Sequence, residues 1–517
     1  MNLTPLDYFT FSLYVVLVVY VALRNSYKSK EEERTSEDFF LAGRSLPWWV
    51  IGTSLIASNI SAEQLIGMSG SAFASGIAIV SYEWLSALAL LVIAKWFLPI
   101  FLKMQIYSMP QFLEERFDKR ISISLGIFWI LVYIFVNLTS ILYLGALTLQ
   151  TILGIPILYS VVAMAILSGI FSIYGGLSAA AWTDFIQVAI LFLGGVLITV
   201  IGLDKVGDGS GIITGFQKLL EAAPEKFHTV LGFNHPELPW LGVFFGGMWV
   251  ANFSYWGFNQ YITQRALAAR NLQEARNGLL FASFLKILVP LIVVLPGVTA
   301  FVLYGSQIPR PDEAYPTLIK NLVPVGFTGL IIAALLGAIL SSLNSMTNST
   351  ATIFSMDIYR KIKPDTSDRE LVRIGRIVSA IALFLAVCIA PSLVTLKQAF
   401  QYIQEFTGMI SPGVVVIFLL GLFWPRANSI SALAVALVTI PVSLTCKLVW
   451  PSLAFLNRMG LIFLLLLLFA YIITVLTSAP DKKGTVLTPV SFVASTSFHF
   501  FSALIIVILS ILYLYFW

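Results

Sequence analysis

Four polar stretches interrupt the apolar runs of this sequence and contain residue types that bind ions and hydroxylated solutes. The first, residues 51–71, holds Ser58, Asn59, Glu63 and Gln64 among glycines. A helix this polar and broken near its middle frees backbone carbonyls that can hold a cation. Such a break is tolerated at membrane depth only where it lines a cavity. The alternative is that small residues here let helices pack closely.

The second feature is a pair of ionisable residues inside apolar runs, Glu83 and Lys286. An ionisable group in such a run is costly unless it is paired, so it is a functional hypothesis by default. Lys286 is one candidate partner for Glu83. Together with Gln64, the pair offers donors and acceptors suited to hydroxyl groups. The alternative is an ion pair that only locks the helices together.

The third stretch, residues 249–261, crowds Asn252, Tyr255, Trp256 and Tyr261 into one apolar run. It also predicts a broken helix, with aromatic rings that could cover a solute. The alternative is an aromatic belt at the membrane interface. A belt would suit Trp256 and Tyr261, but it does not explain Asn252, which lies deeper in the run.

The fourth stretch, residues 338–350, places the adjacent hydroxyls of Ser341 and Ser342 near the middle of a long apolar run. With carbonyls from the break at 57–60 they could complete an oxygen cage. Neutral oxygens suit Na⁺ better than Mg²⁺ or Ca²⁺, which generally require carboxylates. Hydrogen bonding between helices is the alternative.

The composition places these stretches in a chain built for lipid. Of its 517 residues, 58% are hydrophobic and 11% are charged, against about 25% charged in a soluble domain. This excludes a soluble enzyme, a nucleic-acid-binding protein and a disordered scaffold. The sequence shows no catalytic triad, metal motif or phosphate loop, so we expect no enzymatic activity. The two cysteines, Cys388 and Cys446, lie in apolar runs and predict no disulfide framework.

Apolar runs of about twenty residues predict transmembrane helices. The first run lacks a basic leader and a cleavage site, and is interpreted as a retained helix. The sequence therefore predicts an all-α membrane protein of about fourteen helices. Their expected spans are 6–24, 47–70, 77–101, 122–149, 156–175, 180–202, 239–262, 277–304, 325–359, 374–395, 400–423, 428–449, 456–477 and 492–515.

The distribution of lysine and arginine predicts the orientation in the membrane. These residues concentrate after the first, third, seventh and ninth predicted helices, with Arg265 among them. Because basic loops stay in the cytoplasm, both termini are expected outside. The sequence thus predicts a multi-pass protein of the plasma or inner membrane.

The two predicted breaks each begin a block of five helices. Breaks at matching places in two halves point to the inverted repeats of transporters. We therefore expect a five-plus-five inverted repeat with one helix before it and three after it. The segments are a first helix and loop (1–46), a first repeat (47–202), an outer loop (203–238), a second repeat (239–423) and C-terminal helices (424–517).

Long motifs across roughly residues 40–480 resemble the sodium:solute symporter family, and within it the bacterial sodium/galactose and animal sodium/glucose cotransporters. The resemblance implies a leucine-transporter-like fold and alternating access driven by Na⁺. The motifs are SLIASNISAEQLIGMSGS (54–71), SYEW (81–84), IFVNLTS (134–140), IYGGLSAAAWTDFIQV (173–188), WGFNQYITQRALAA (256–269), SSLNSMTNSTATIFSMDIY (341–359) and AFQYIQEFTGMISPG (399–413).

The resemblance also implies roles for individual residues. The sugar-binding side chains would be Gln64, Glu83, Ser86, Asn252, Lys286 and Gln404, with Tyr255 stacked on the sugar as an inner gate. The outer hydrophobic gate would be Met68, Tyr82 and Phe400. Sodium would be held by the carbonyls of Ala57, Ile60 and Ala338 and the hydroxyls of Ser341 and Ser342.

Three further residues bear on the number of ions. Asp184 resembles an acidic residue on the exit path of the ion. Some relatives hold a second Na⁺ with hydroxyls one turn beyond the serine pair, together with this acid. Here those positions are Asn344 and Ser345. One or two sodium ions per sugar therefore remain open.

The expected function is a sodium-driven symporter that imports a galactose- or glucose-type hexose. Its partners would be the sugar, Na⁺ as the coupling ion and the lipid bilayer, with the chain a monomer or weak homo-oligomer. One alternative is a sodium symporter for myo-inositol, sialic acid or an amino acid. The pairing of Glu83, Lys286 and Gln404 favours a polyol, although a carboxylate solute could use Lys286. A second alternative is a sugar sensor that does not accumulate its ligand.

Overall fold

The computed structural model describes residues 4–26, 36–395, 399–477 and 490–517, and within them the regular structure is helical. The α-helices are α1 (Pro5–Ser26), α2 (Ser36–Leu41), α3 (Trp48–Asn59), α4 (Ser69–Ser75), α5 (Ser81–Val92), α6 (Leu98–Lys103), α7 (Met109–Arg116), α8 (Lys119–Val132), α9 (Thr139–Leu153), α10 (Ile157–Val206), α11 (Ile212–Ala222), α12 (Trp240–Phe244), α13 (Gly247–Asn252), α14 (Gln260–Leu267), α15 (Leu272–Tyr304), α16 (Ala314–Leu322), α17 (Phe327–Thr352), α18 (Arg360–Ile362), α19 (Asp368–Ile389), α20 (Ala399–Gly408), α21 (Ser411–Phe423), α22 (Ser429–Val449), α23 (Phe455–Thr477) and α24 (Thr496–Tyr515).

Shorter helical segments connect several of these helices. Five are π-helical: Glu63–Met68, Ile93–Phe97, Tyr133–Leu138, Phe253–Phe258 and Ile353–Tyr359. Five are 3₁₀-helical: Ala42–Arg44, Gly76–Val80, Pro224–Lys226, Pro311–Glu313 and Ala390–Thr395. Single π-helical turns are frequent at functional sites, and two of these segments adjoin the predicted breaks.

The predicted all-α membrane architecture is confirmed. In the described part of the chain, nine helical stretches are long and apolar enough to cross a membrane. Shorter apolar helices add to them at Pro5–Val21, Ile157–Ile170 and Ser411–Phe423. The count of fourteen stays a prediction.

Helix α10 covers a region where the sequence predicts two helices, 156–175 and 180–202. The connecting stretch has no proline and includes consecutive alanines, the strongest helix formers. The structure therefore has one continuous helix where the sequence predicts two. Ser168 hydrogen-bonds Asn344 and Asp184 hydrogen-bonds Ser341, so α10 packs against α17.

Both predicted breaks are present. Helix α3 ends at Asn59, and Ile60 leaves the helical region with φ −75° and ψ 80°. The second break lies at Asn259, which is extended with φ −84° and ψ 124° between the π-helical segment and α14. Breaks of this kind expose backbone carbonyls that a continuous helix would use.

The predicted helix 400–423 is wrong in one respect, because the structure divides it into α20 and α21. Pro412 lies in the first turn of α21. Proline is favoured there, since its missing N–H would have no helical partner anyway. Its position explains why a new helix begins at Ser411.

Helix α17 is central to the packing and contacts α1, α3, α9, α10 and α14. Its N-terminal end is hydrogen-bonded to α1, because Asp7 Oδ1 accepts from the backbone N–H groups of Gly326 and Gly329 at 2.9 and 3.1 Å. The first N–H groups of a helix have no intrahelical acceptor, so a carboxylate from another helix satisfies them. This contact fixes the helix that carries Ser341 and Ser342.

Candidate functional site

Glu83 on α5 and Lys286 on α15 form a buried ion pair, each side chain being almost fully enclosed. The distance from Lys286 Nζ to Glu83 Oε2 is 2.6 Å. Gln64 Nε2 donates a hydrogen bond to the other carboxylate oxygen. Buried pairs are stable only when their remaining donors and acceptors are also satisfied. The structure thus brings together the three residues that the sequence analysis grouped.

The ammonium of Lys286 makes two further contacts. It donates a hydrogen bond to Asn59 Oδ1 and lies 4.7 Å from the centre of the Trp256 ring. A cation over an indole face is stabilised by the ring quadrupole. Sequence reasoning did not assign Asn59 a role. The available signal was its position directly before the break.

Tyr255 is connected to this group through Asn59. Asn59 Nδ2 donates to the Tyr255 hydroxyl at 3.1 Å, and Tyr261 donates to the same oxygen. The predicted inner gate is therefore held by two hydrogen bonds. The alternative expectation for Trp256 is a place in an aromatic belt at the membrane interface. In the structure its ring instead packs against Tyr255 and Lys286.

The other predicted sugar ligands are placed less directly. Ser86 Oγ donates to the Glu83 carbonyl at 2.7 Å, and Asn252 Nδ2 donates to the Met248 carbonyl at 3.0 Å, so both side chains bond within their own helices. Gln404 lines a cavity together with Tyr255. Among the described residues, no hydrogen bond joins Gln404 to the Glu83–Lys286 pair.

The predicted outer gate is a buried apolar contact. The rings of Tyr82 and Phe400 meet edge to face with centroids 5.5 Å apart. A Cβ on Gly67 would lie 2.9 Å from Phe400 Cβ, so glycine permits this approach. Met68, next in the chain, is also buried.

One of the predicted sodium residues, Ser342, contacts the end of α3 at its break. Ser342 Oγ donates to the Ser58 carbonyl at 3.2 Å, and Ala57, Ile60 and Ala338 are buried. The last carbonyls of a helix have no intrahelical donors. A carbonyl at the end of α3 and a hydroxyl of α17 therefore lie together, and neutral oxygens of this kind suit a Na⁺ ion.

Asp184 lies beside this group and is fully buried with Arg265. Its Oδ2 accepts from Ser54 Oγ at 2.5 Å and lies 3.5 Å from Arg265 Nη2, while Oδ1 accepts from Ser341. The expectation that Arg265 lies in a cytoplasmic loop is wrong. It lies within α14, where Asp184 and the backbone carbonyls of Ser54 and Tyr261 compensate its charge.

Asn344 and Ser345, the two residues considered for a second ion, belong to different hydrogen-bonded groups. Ser345 Oγ hydrogen-bonds Arg265 and the Ser341 carbonyl, so it belongs to the Asp184 group. Asn344 Oδ1 instead accepts from Ser168 Oγ at 2.8 Å and lines a cavity beside α1. Among the described residues, no hydrogen bond joins Asn344 to Asp184.

Comparison with known proteins covers the whole chain. Residues 39–439 match the profile of the sodium:solute symporter family. A sodium/glucose cotransporter of Vibrio parahaemolyticus is 47% identical over 100% of this chain and 99% of its own length. A sodium/myo-inositol cotransporter 2 of Oryctolagus cuniculus is 33% identical over 83% of this chain and 67% of its own. The solved structure of a Na⁺-coupled sialic acid symporter, substrate-bound and outward-open, superposes with a TM-score of 0.82 at 25% identity, covering 93% of this chain and 100% of that one.

Proposed function

Because this chain belongs to the sodium:solute symporter family, we propose that it is a sodium-driven symporter that imports a galactose- or glucose-type hexose by alternating access. The observation that carries the proposal is the buried group of Gln64, Glu83, Lys286 and Asn59. It combines a carboxylate, an ammonium and amides in one place, and a neutral sugar presents hydroxyls that both donate and accept.

Sodium would be held by the carbonyls of Ala57, Ile60 and Ala338 and the hydroxyls of Ser341 and Ser342. Bound there, it would supply positive charge that draws these oxygens together. The approach of Ser342 to the Ser58 carbonyl supports this assignment, since α3 and α17 already meet at the break. A ligand shifts a conformational equilibrium only through its differential affinity for the two states, so Na⁺ must bind better when these elements meet.

The sugar would hydrogen-bond to Gln64, Glu83 and Lys286, with Ser86, Asn252 and Gln404 as further ligands. Tyr255 would lie against the apolar face of the ring. Met68, Tyr82 and Phe400 would close the opposite side. Since unpaired buried groups penalise an analogue that lacks a hydroxyl, the site would discriminate between sugars by hydroxyl pattern.

The wider context is part of the same proposal. The protein is a multi-pass membrane protein. We place it in the plasma or inner membrane as a monomer or weak homo-oligomer without enzymatic activity. Both termini would lie outside, and the repeats would be 47–202 and 239–423. Asp184 would lie on the exit path of the ion, and Asn344 and Ser345 leave a second Na⁺ to be tested.

Among the alternatives, one structural observation favours myo-inositol over charged solutes. The Lys286 ammonium is neutralised by Glu83 at 2.6 Å. The carboxylate of a sialic acid or an amino acid would therefore have to displace the Glu83 carboxylate from Lys286. Myo-inositol, a neutral polyol like a hexose, would not. The similarity to the rabbit sodium/myo-inositol cotransporter 2 also supports myo-inositol ahead of charged solutes.

Uptake of labelled galactose into proteoliposomes tests the proposal, measured with and without an inward sodium gradient. A transient accumulation above equilibrium that requires sodium is the expected result. Sodium-driven uptake of myo-inositol or another solute from a panel, without galactose uptake, would replace the sugar assignment. Equal uptake without sodium would contradict coupling and favour a passive carrier, whereas sugar binding without any uptake would favour a sensor.

A further inference from the structure

A polar cavity lies next to Tyr255 and is distinct from the buried Glu83–Lys286 pair. Its lining includes Glu63, Trp129, Asn137, Tyr255, Asn259 and Gln404. Only Tyr255 and Gln404 belong to the sugar site proposed above. Trp129 comes from α8, Glu63 and Asn137 come from the π-helical segments after the α3 break and after α8, and Asn259 is the residue at the second break.

Three polar atoms on the lining side chains are buried without a hydrogen-bond partner among the described residues. They are Glu63 Oε1, Trp129 Nε1 and Asn137 Oδ1. Trp129 and Asn137 are 6% and 7% exposed, so bulk water does not satisfy them. Buried polar groups are rarely left unpaired, and each such group calls for an explanation.

The chemistry of these atoms indicates the missing ligand. The indole N–H is a donor only, whereas the carboxylate and amide oxygens accept. A cation could bind the oxygens but would leave the indole N–H unpaired. A neutral polyol satisfies all three and can also lie against the Trp129 ring. We propose that this cavity is a second, weaker sugar-binding subsite.

The position of the cavity assigns the subsite a place in transport. Tyr255 lines the cavity, and its hydroxyl is hydrogen-bonded to Asn59, the residue that also contacts Lys286. The tyrosine therefore connects the two sites. Along the chain, Trp129 lies closer to Lys119 at the start of α8, the end expected in the cytoplasm, than to Leu153 at the end of α9. A sugar released past Tyr255 would reach this subsite before the cytoplasm.

None of the proposed sodium residues lines this cavity. We therefore expect binding there to be independent of sodium, unlike binding at the Glu83–Lys286 pair. That the ligand of this subsite is a sugar rests on the proposed function. The presence of unpaired polar atoms in the cavity does not depend on it.

Saturation-transfer-difference NMR of D-galactose with the full chain in nanodiscs tests the subsite, in choline buffer without sodium. The background variant Glu83→Gln disables the first site. A sodium-independent signal should remain in this background. Adding Glu63→Gln, which exchanges the carboxylate for a neutral amide, should weaken the remaining binding about tenfold. Adding Trp129→Phe, which removes the indole N–H, should weaken it about fivefold.

Trp96→Phe is the matched control, because Trp96 is 38% exposed and does not line the cavity. It should leave the residual signal unchanged. Size-exclusion elution establishes that each variant is folded. Loss of all galactose contact in Glu83→Gln, or an unchanged signal after both cavity substitutions, would overturn the subsite. Failure of the proposed transport function would appear separately, as absent sodium-driven uptake by the unmodified chain.

Discussion

The side-chain amide of Asn59 donates a hydrogen bond to the Tyr255 hydroxyl, with 3.1 Å between the two atoms. The carbonyl oxygen of the same amide accepts from Lys286. Asn59 is also the last residue of α3 before the break at Ile60. A single side chain therefore joins the ammonium of the proposed sugar site, the proposed inner gate and the backbone expected to hold sodium.

Replacement of Asn59 should weaken coupling between sodium and sugar. Asn59→Ala removes one of the two hydrogen bonds to the Tyr255 hydroxyl and one acceptor from Lys286, so the gate is no longer tied to the break. We expect sodium-independent sugar efflux to rise and the accumulation ratio to fall at least about fivefold, the effect of losing one or two buried hydrogen bonds. Efflux from preloaded proteoliposomes in sodium-free buffer measures this. Tyr255→Phe should change efflux in the same direction, and unchanged coupling in both variants would refute the link.

Removing one partner of the Glu83–Lys286 pair should destabilise the protein more than removing both partners. Glu83→Gln leaves a buried ammonium without its counter-ion, which costs about 3–5 kcal/mol. The double variant Glu83→Gln, Lys286→Met removes both charges and should recover part of the lost melting temperature. Neither variant should transport sugar. A double variant less stable than Glu83→Gln alone would show that the pair does not act as an electrostatic unit.

The contact of Asp7 with α17 predicts a role for the first helix in sodium binding. Asp7→Asn removes the negative charge that faces the first turn of α17 and should cost about 0.5–2 kcal/mol. The apparent melting temperature should fall, and the half-saturating sodium concentration should rise modestly because α17 carries the serine pair. Asp208→Asn is the control, since the Asp208 side chain is 82% exposed in its pair with Lys218 and exposed pairs contribute little. Equal effects of the two substitutions would contradict the prediction.

His235, in the segment between α11 and α12, predicts a pH dependence of stability. Its Nδ1 accepts from the N–H groups of Glu237 and Leu238 at 3.3 and 3.0 Å, which requires the neutral ring. Burial lowers the pKa of His235 below its usual value of 6.5. The stabilising contribution is therefore present above the unfolded pKa and is lost as the pH falls through the folded one. Melting temperature should drop between pH 7 and pH 5, and His235→Gln should flatten this slope.

The sequence predicted the membrane architecture and both helix breaks because each depends on local composition. Glu83 and Lys286 were paired correctly because a charge inside an apolar run needs a partner. Arg265 was misplaced for the complementary reason. It follows a polar stretch, and nothing local reveals that Asp184, far away in the chain, compensates its charge. The pairing of Asn344 with Ser168 was equally unpredictable, since it depends on how α10 folds against α17.

The two adjacent serines of α17 should contribute differently to sodium dependence. Ser342 Oγ faces the Ser58 carbonyl at the break, whereas Ser341 Oγ is engaged by Asp184. Ser342→Ala removes one of the five proposed sodium oxygens without disturbing the Asp184–Arg265 pair. It should raise the half-saturating sodium concentration about tenfold or more, equivalent to about 1.4 kcal/mol. Ser341→Ala should do the same and also lower the melting temperature, because Asp184 loses a buried donor.

Ser349→Ala is the matched control: it lies two turns further along α17 and hydrogen-bonds Gln264 at 2.9 Å. It should affect stability alone. Uptake measured over a range of sodium concentrations distinguishes the three variants, and an unchanged sodium dependence in Ser342→Ala would remove this residue from the ion site.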